Sequence, residues 1–218
     1  SYFLKQPLSF TERDAGTNSF PIVYTAYKQE KPVISGGRII KGWKTVQLNG
    51  KTVWKTTIPE VKAGQWEFHQ LWVNDERRQR CRYPKKGYLK VDKAPDAIES
   101  DWRKGQNRFQ FFPGDLKAWQ ELDRGEAIVL TRWVESRLPI AGIDEANRII
   151  SFRNRSTYRI DPGNSSSSAA GLYYLENVRA FLTDPGEWFL DNKSGQLYYL
   201  PLPGEKIDRT QVIAPFLS

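Results

Sequence analysis

Short apolar runs separated by turn residues dominate the chain, and their period is two. TVWKTTI (52–58), FHQLWV (68–73), QRCRYP (79–84), FQFF (109–112), AIVLTRWV (127–134) and RIISFR (148–153) each read as an extended strand. Asn49-Gly50, Asn74-Asp75, Lys86-Gly87 and Asp144–Asn147 separate them with tight-turn chemistry, and LNGKTVW reads as a hairpin. So many short strands predict a mainly β protein built as an antiparallel barrel or sandwich. Helical spacing is weak. DLKAWQEL (115–122) is one helix candidate, with Asp115 as N-cap and Leu116, Trp119 and Leu122 at i, i+3, i+6. AAGLYYLENVRAFL (169–182), with Tyr173, Asn177 and Phe181 four apart, is a second. NSSSSAAG (164–171) reads as a polar, flexible linker.

PGEWFLDNKSGQLYYLP (185–201) contains two acids among aromatics, the composition of a catalytic pair, a sugar-stacking platform or a hairpin. Trp188-Phe189-Leu190 and Leu197-Tyr198-Tyr199-Leu200 form two arms, Asp191 opens the turn, and Gly195 supplies the positive φ that closes it. Glu187 and Asp191 then lie roughly 13 Å apart along one arm, beyond the about 5–9.5 Å of a glycosidase pair. Trp188 alternates with Leu190 as core residues do.

The first forty residues differ. PIVYTAY (21–27) and PVISG (32–36) are short, continuously apolar and bounded by polar corners, the form of one rung of a parallel β-solenoid, which needs further coils to bury its face. The chain lacks Met, so it is expected to be processed or part of a longer protein.

Composition narrows the classes. Aromatics at 13%, with eight Trp, support a packed core and argue against disorder. No apolar run is long enough to span a membrane, and SYFLKQPLSF does not resemble a signal peptide. Single Cys81 excludes an internal disulfide and reads as a strand filler; single His69 excludes a His-rich metal site and reads as a half-buried polar partner. The net charge is +8, densest at Arg77, Arg78, Arg80, Arg82, Lys85 and Lys86. Such a run is either a solvated strand face or a polyanion contact. No nucleic-acid-binding motif accompanies it. Asp92, Asp96, Glu99 and Asp101 lack regular ligand spacing and read as solvated acids. Asn154, Asn164 and Asn192 each begin a glycosylation acceptor pattern.

PIVYTAYKQEKPVISGGRIIKGW, QLWVNDERRQRCRYP, RWVESRLPIAGID and YYLENVRAFLTDPGEWFLDNKSGQLYYLP, in that order, resemble bacterial secreted carbohydrate-active enzymes with a right-handed parallel β-helix. The family 141-like glycoside hydrolases, which include α-L-fucosidase and xylanase activities, match best. Asp75 stands where that family often has Gly, and Cys81 where Ala is common. The resemblance implies an inserted antiparallel β-barrel or sandwich domain over 41–207, flanked by an incomplete right-handed parallel β-helix coil over 1–40 and re-entry into that helix over 208–218. It implies a portion of a polysaccharide-degrading enzyme that shapes the substrate cleft, with catalytic carboxylates outside this chain and no activity of the chain alone. Alternatives are a portion of a β-helix lyase acting on uronic-acid polymers, recognisable by an unsaturated ultraviolet-absorbing product, or a non-catalytic carbohydrate-binding module. Sugar contacts are expected at Arg80, Arg82, Tyr83, Trp133, Glu135 and Arg137, pairing flat faces with charge. The expected partners are an oligo- or polysaccharide and the remaining β-helix polypeptide. No cofactor, metal, nucleic acid or membrane is implied, and the implied location is secreted or periplasmic.

Overall fold

In the computed structural model of the chain, residues 1–98, 100–162 and 171–217 are described. Most of the linker at 164–171, with Asn164, lies outside them, as does Glu99. In chain order the strands are β1 (Tyr2–Phe3), β2 (Ile34–Ser35), β3 (Gly37–Ile39), β4 (Lys44–Leu48), β5 (Lys51–Thr57), β6 (Leu71–Val73), β7 (Glu76–Arg78), β8 (Arg82–Tyr83), β9 (Leu89–Lys93) and β10 (Arg108–Phe111). They continue as β11 (Glu126–Leu130), β12 (Glu135–Asp144), β13 (Ile149–Phe152), β14 (Leu172–Glu176), β15 (Trp188–Asp191), β16 (Gln196–Tyr199) and β17 (Val212–Pro215). One short helix, α1 (Pro59–Lys62), joins β5 to β6.

The protein is mainly β, and its largest sheet closes on itself. Strands β11, β12, β13, β10, β9 and β14 pair in that order, and β14 returns to β11, so six antiparallel strands form a ring. Strand β8 continues the pairing of β14 beyond β9. Alternation fills the ring: Val91, Phe109, Ala127, Val129, Leu138, Ile140, Ile150, Tyr173 and Leu175 are all essentially buried in one cluster. Closure removes the exposed edges of an open sheet.

Two four-stranded sheets pack beside the barrel. In the first, β15-β16-β5-β4, both faces are covered. Val53, Phe189 and Tyr198 join the barrel's core. Their neighbours Trp54, Trp188, Leu190, Leu197 and Tyr199 pack instead with Leu71, Val73, Val212 and Ala214 of the second sheet, β3-β17-β6-β7. Two-sided burial explains the near-continuous apolar arms of 185–201. Buried Asn177 joins barrel and sheet: its side-chain amide donates to Leu190 O at 2.8 Å, and its carbonyl accepts from Leu190 N–H at 2.9 Å.

The 185–201 hairpin forms with the expected turn. Asp191 accepts from the backbone N–H of Lys193 and the hydroxyl of Ser194, and Gly195 has φ +70°. Both acids have structural partners at opposite ends of the arm. Glu187 binds the Lys85 ammonium and caps the N–H groups of Thr183 and Asp184, while Asp191 also pairs with Arg124. Trp188 is fully buried and donates its indole N–H to Arg78 O.

The tight turns behave as their residues predict. Asn49-Gly50 and Asn74-Asp75 both adopt positive φ at two successive positions, the conformation that matches strand twist. Asp75, at φ +65°, is exposed in a region that glycine occupies without strain. Asp75→Gly is therefore expected to raise the unfolding free energy by about 0.5–1 kcal/mol. A lower urea midpoint would contradict this.

Both helix candidates are corrected. Residues 115–122 form turns leading to a 3₁₀ turn at Leu122–Arg124; Gly114 (φ +84°) and Glu121 (φ +60°) break the helical backbone at either end. The 169–182 segment holds strand β14 and a 3₁₀ turn at Arg179–Phe181. Its deciding period is two, with Tyr173 and Leu175 inward, and Asn177 (φ +59°) ends the strand.

The amino-terminal region is less regular than expected. Residues 21–27 form no strand, and Phe20, Ile22, Val23, Tyr24 and Tyr27 are exposed, because no neighbouring strand pairs with them. Between strands, the parallel pairing among the described residues is β1 with β2, two residues each, beside an isolated parallel bridge between Arg80 and Trp188. Strand β17 pairs antiparallel with β3, so segments 37–39 and 213–215 lie side by side.

Candidate functional site

The barrel's outer wall collects most of the chemistry. Because Ala127, Val129, Leu138, Tyr173 and Leu175 face the core, their neighbours on β11, β12 and β14 face out. Register places Glu126 opposite Glu176, and Glu176 opposite Arg82. Ile128 lies between Tyr174 and Arg137. Arg80 and Arg82, two apart, share this side, whereas Cys81 and Tyr83 turn to the interior.

Directly opposed glutamates repel, and Arg80 resolves the conflict. Its Nη1 donates to Glu126 Oε1 and, at 3.1 Å, to Glu176 Oε1. Arg137 Nη1 donates to the same Glu176 oxygen at 2.7 Å, and its Nη2 donates to Glu135 at 3.0 Å. His69 Nδ1 lies 3.0 Å from Arg80 Nη1 and 3.3 Å from Glu126 Oε1. Arg80, Glu126 and Glu176 are each at most 7% exposed. Burial alone would raise the Glu126 carboxyl, but the His69 hydrogen bond and the Arg80 charge outweigh it and hold the group at about 2.

Arg82 is held differently. Its guanidinium lies 3.7 Å from the Tyr174 ring centre and 5.7 Å from that of Tyr88. Its Nε donates to Pro84 O at 3.0 Å and its Nη2 to Gly87 O. Burial, with Glu176 and Glu135 nearby, pushes the Tyr174 phenol up to about 12.

The structure thus unites four expected residues, Arg80, Arg82, Glu135 and Arg137, on one wall. Trp133 sits just before β12 and is 64% exposed. Its ring is braced edge-on by Trp102 at 5.0 Å and Tyr158 at 5.7 Å. Tyr83 turns away from that wall: half-buried, it packs on Trp119 and Phe181 and lines a second cleft with Arg82 and Lys85. Glu126, Glu176 and Tyr174 were not among the sequence candidates. Their only signal was an acid inside each of two otherwise apolar stretches, GEAIVL and LYYLEN.

The remaining candidates have structural partners. His69 precedes β6 rather than lying within a strand, and is a partly exposed polar partner. Cys81 is buried, its thiol donates to Val178 O, and burial pushes it up to about 12, which leaves it unreactive. Asp92 and Asp96 bind Arg148 and Arg108.

A family model described as GH141 insertion domain matches residues 50–202. A solved structure named "Glycoside hydrolase" aligns with a TM-score of 0.60 at 23% identity over 86% of this chain, a likeness of fold. The chain covers 32% of that glycoside hydrolase's length. No curated protein matches the chain.

Proposed function

The chain belongs to the GH141 insertion domain family, and on that footing we propose that it is the portion of a polysaccharide-degrading glycoside hydrolase that shapes one wall of the substrate cleft. The bond-breaking carboxylates come from outside these residues. The observation carrying this reading is the state of the outer wall's two buried acids. Glu126 and Glu176 share one guanidinium, which fills the space where a glycosidic bond would have to lie between a catalytic pair. A general acid must also hold a proton near working pH, and Glu126 sheds its proton at about 2. What remains is a surface suited to contact: Arg82 and Arg137 with their donors, Glu135 as acceptor, and Trp133 as an exposed flat ring. Arg80 positions the glutamates, and Tyr83 supports the strand from inside.

An insertion at 41–207 also accounts for the chain's entry and exit. Ile40 donates its N–H to Val212 O at 2.8 Å, so the segments flanking the insertion lie together. The exposed apolar side chains before residue 35 and the parallel β1–β2 pair are consistent with one coil of a right-handed parallel β-helix. In this reading, the rest of a bacterial, secreted or periplasmic enzyme stacks on that coil.

The test is to titrate the 218-residue chain with a panel of oligosaccharides, reading tryptophan fluorescence and analysing products. Binding without cleavage is expected. Trp133→Ala is expected to weaken it about fivefold to tenfold, through loss of stacking. New reducing ends, an unsaturated chromophore, or affinity unchanged in W133A would overturn the reading.

A further inference from the structure

We propose that a cleft in this outer wall binds an anionic substituent on a sugar ring, a carboxylate or a sulfate ester, at Arg82 and Arg77. The inference rests on the cleft-wall reading and names the class of glycan met there. The cleft encloses about 360 Å³ and is lined by five arginines, Arg77, Arg78, Arg80, Arg82 and Arg137, against one glutamate, Glu176. Three arginines have carboxylate partners. Arg78 pairs with Glu76 and Glu205, Arg80 with Glu126 and Glu176, and Arg137 with Glu176 and Glu135. Arg82 donates only to the carbonyls of Pro84 and Gly87 and has no ion pair among the described residues. Exposed Arg77 has neither a hydrogen bond nor an ion pair from its side chain among them. Arg82 and Arg77 are therefore the two arginines of this concavity without a carboxylate partner among the described residues.

The geometry favours an anion over a neutral hydroxyl. Stacking on Tyr174 and two main-chain bonds fix the Arg82 guanidinium in place before anything binds. A planar group already held in position loses little freedom on binding. Its Nη1 has no partner among the described residues, so it can donate to a carboxylate or sulfate oxygen. Charge-assisted bonds of that kind are roughly twice as strong as neutral ones.

Three probes test this on the 218-residue chain: a uronic-acid trisaccharide, its fully methyl-esterified form, and a sulfated neutral trisaccharide. The acid is expected to bind at least about tenfold more tightly than its ester at low salt. That gap should shrink as ionic strength rises toward about 0.2 M. Arg82→Gln and Arg77→Gln should each remove much of the preference. Arg77 is exposed and makes no side-chain bonds among the described residues, so R77Q separates lost binding from lost folding. Tighter binding of the sulfated probe than of the uronate would support the proposal and assign the charge to a sulfate ester. Equal affinity for acid and ester, still weakened by W133A, would overturn the anionic preference and leave the cleft-wall reading standing. No binding of any probe would overturn both.

Discussion

Arg80→Met is expected to lower the unfolding free energy by about 3–5 kcal/mol, the largest loss from any single change on the outer wall. Methionine matches the arginine stem but leaves Glu126 and Glu176 opposed, buried and without their shared cation. Arg137 can relieve only part of this. It reaches Glu176 at 2.7 Å, but its guanidinium lies 3.8 Å from Glu126. The contact of Arg80 with the Trp188 ring, at 5.4 Å, is lost as well. Urea unfolding of parent and variant measures the effect. Adding Glu126→Gln and Glu176→Gln to Arg80→Met should restore much of the stability, because the penalty lies in the uncompensated charge rather than the missing side chain. An R80M protein within about 1 kcal/mol of the parent would show that the glutamates relax or take up protons without harm.

Acid should weaken the fold through the same cluster. Glu126 in the folded protein is held at about 2, below the ordinary 4.5. A depressed carboxyl contributes stability that is complete above the unfolded value and lost as pH falls through the folded one. The window therefore runs from about pH 4.5 down to about pH 2, and the shift corresponds to about 3 kcal/mol. Arg108 and Lys193 hold Asp96 and Asp123 low as well, and these exposed groups add smaller contributions in the same direction. Urea midpoints measured across the window, for the parent and for Glu126→Gln, isolate the buried group. E126Q starts from lower stability and should lose about 3 kcal/mol less on acidification. Parallel pH curves for the two proteins would rule Glu126 out as the source.

The sequence disclosed local features well and distant juxtapositions poorly. The 185–201 hairpin was readable because Asp191, Gly195 and the apolar arms all act within a few residues of one another. The charge cluster was not readable, because Glu126 lies 46 residues and Glu176 lies 96 residues from Arg80, and only ring closure through β11 and β14 brings them together. Misreading β14 as a helix hid Glu176 further: Tyr173, Asn177 and Phe181 satisfy a helical spacing by coincidence, while burial follows alternation. Tyr83 stands apart from the other candidates for a related reason. Its chemistry suits a sugar contact, but its parity on β8 turns it inward, and parity counts only once the core-facing side is known.

The closed barrel has a filled interior. Phe109, Tyr173 and their neighbours occupy its axis, so no small molecule can lodge there. Under the proposed cleft-wall function, selectivity is then written on the outside, in positions such as exposed Arg77 and Trp133 that lie apart from the barrel core. Substitutions at such positions are then expected to change the glycan contacted while the cylinder beneath keeps its shape.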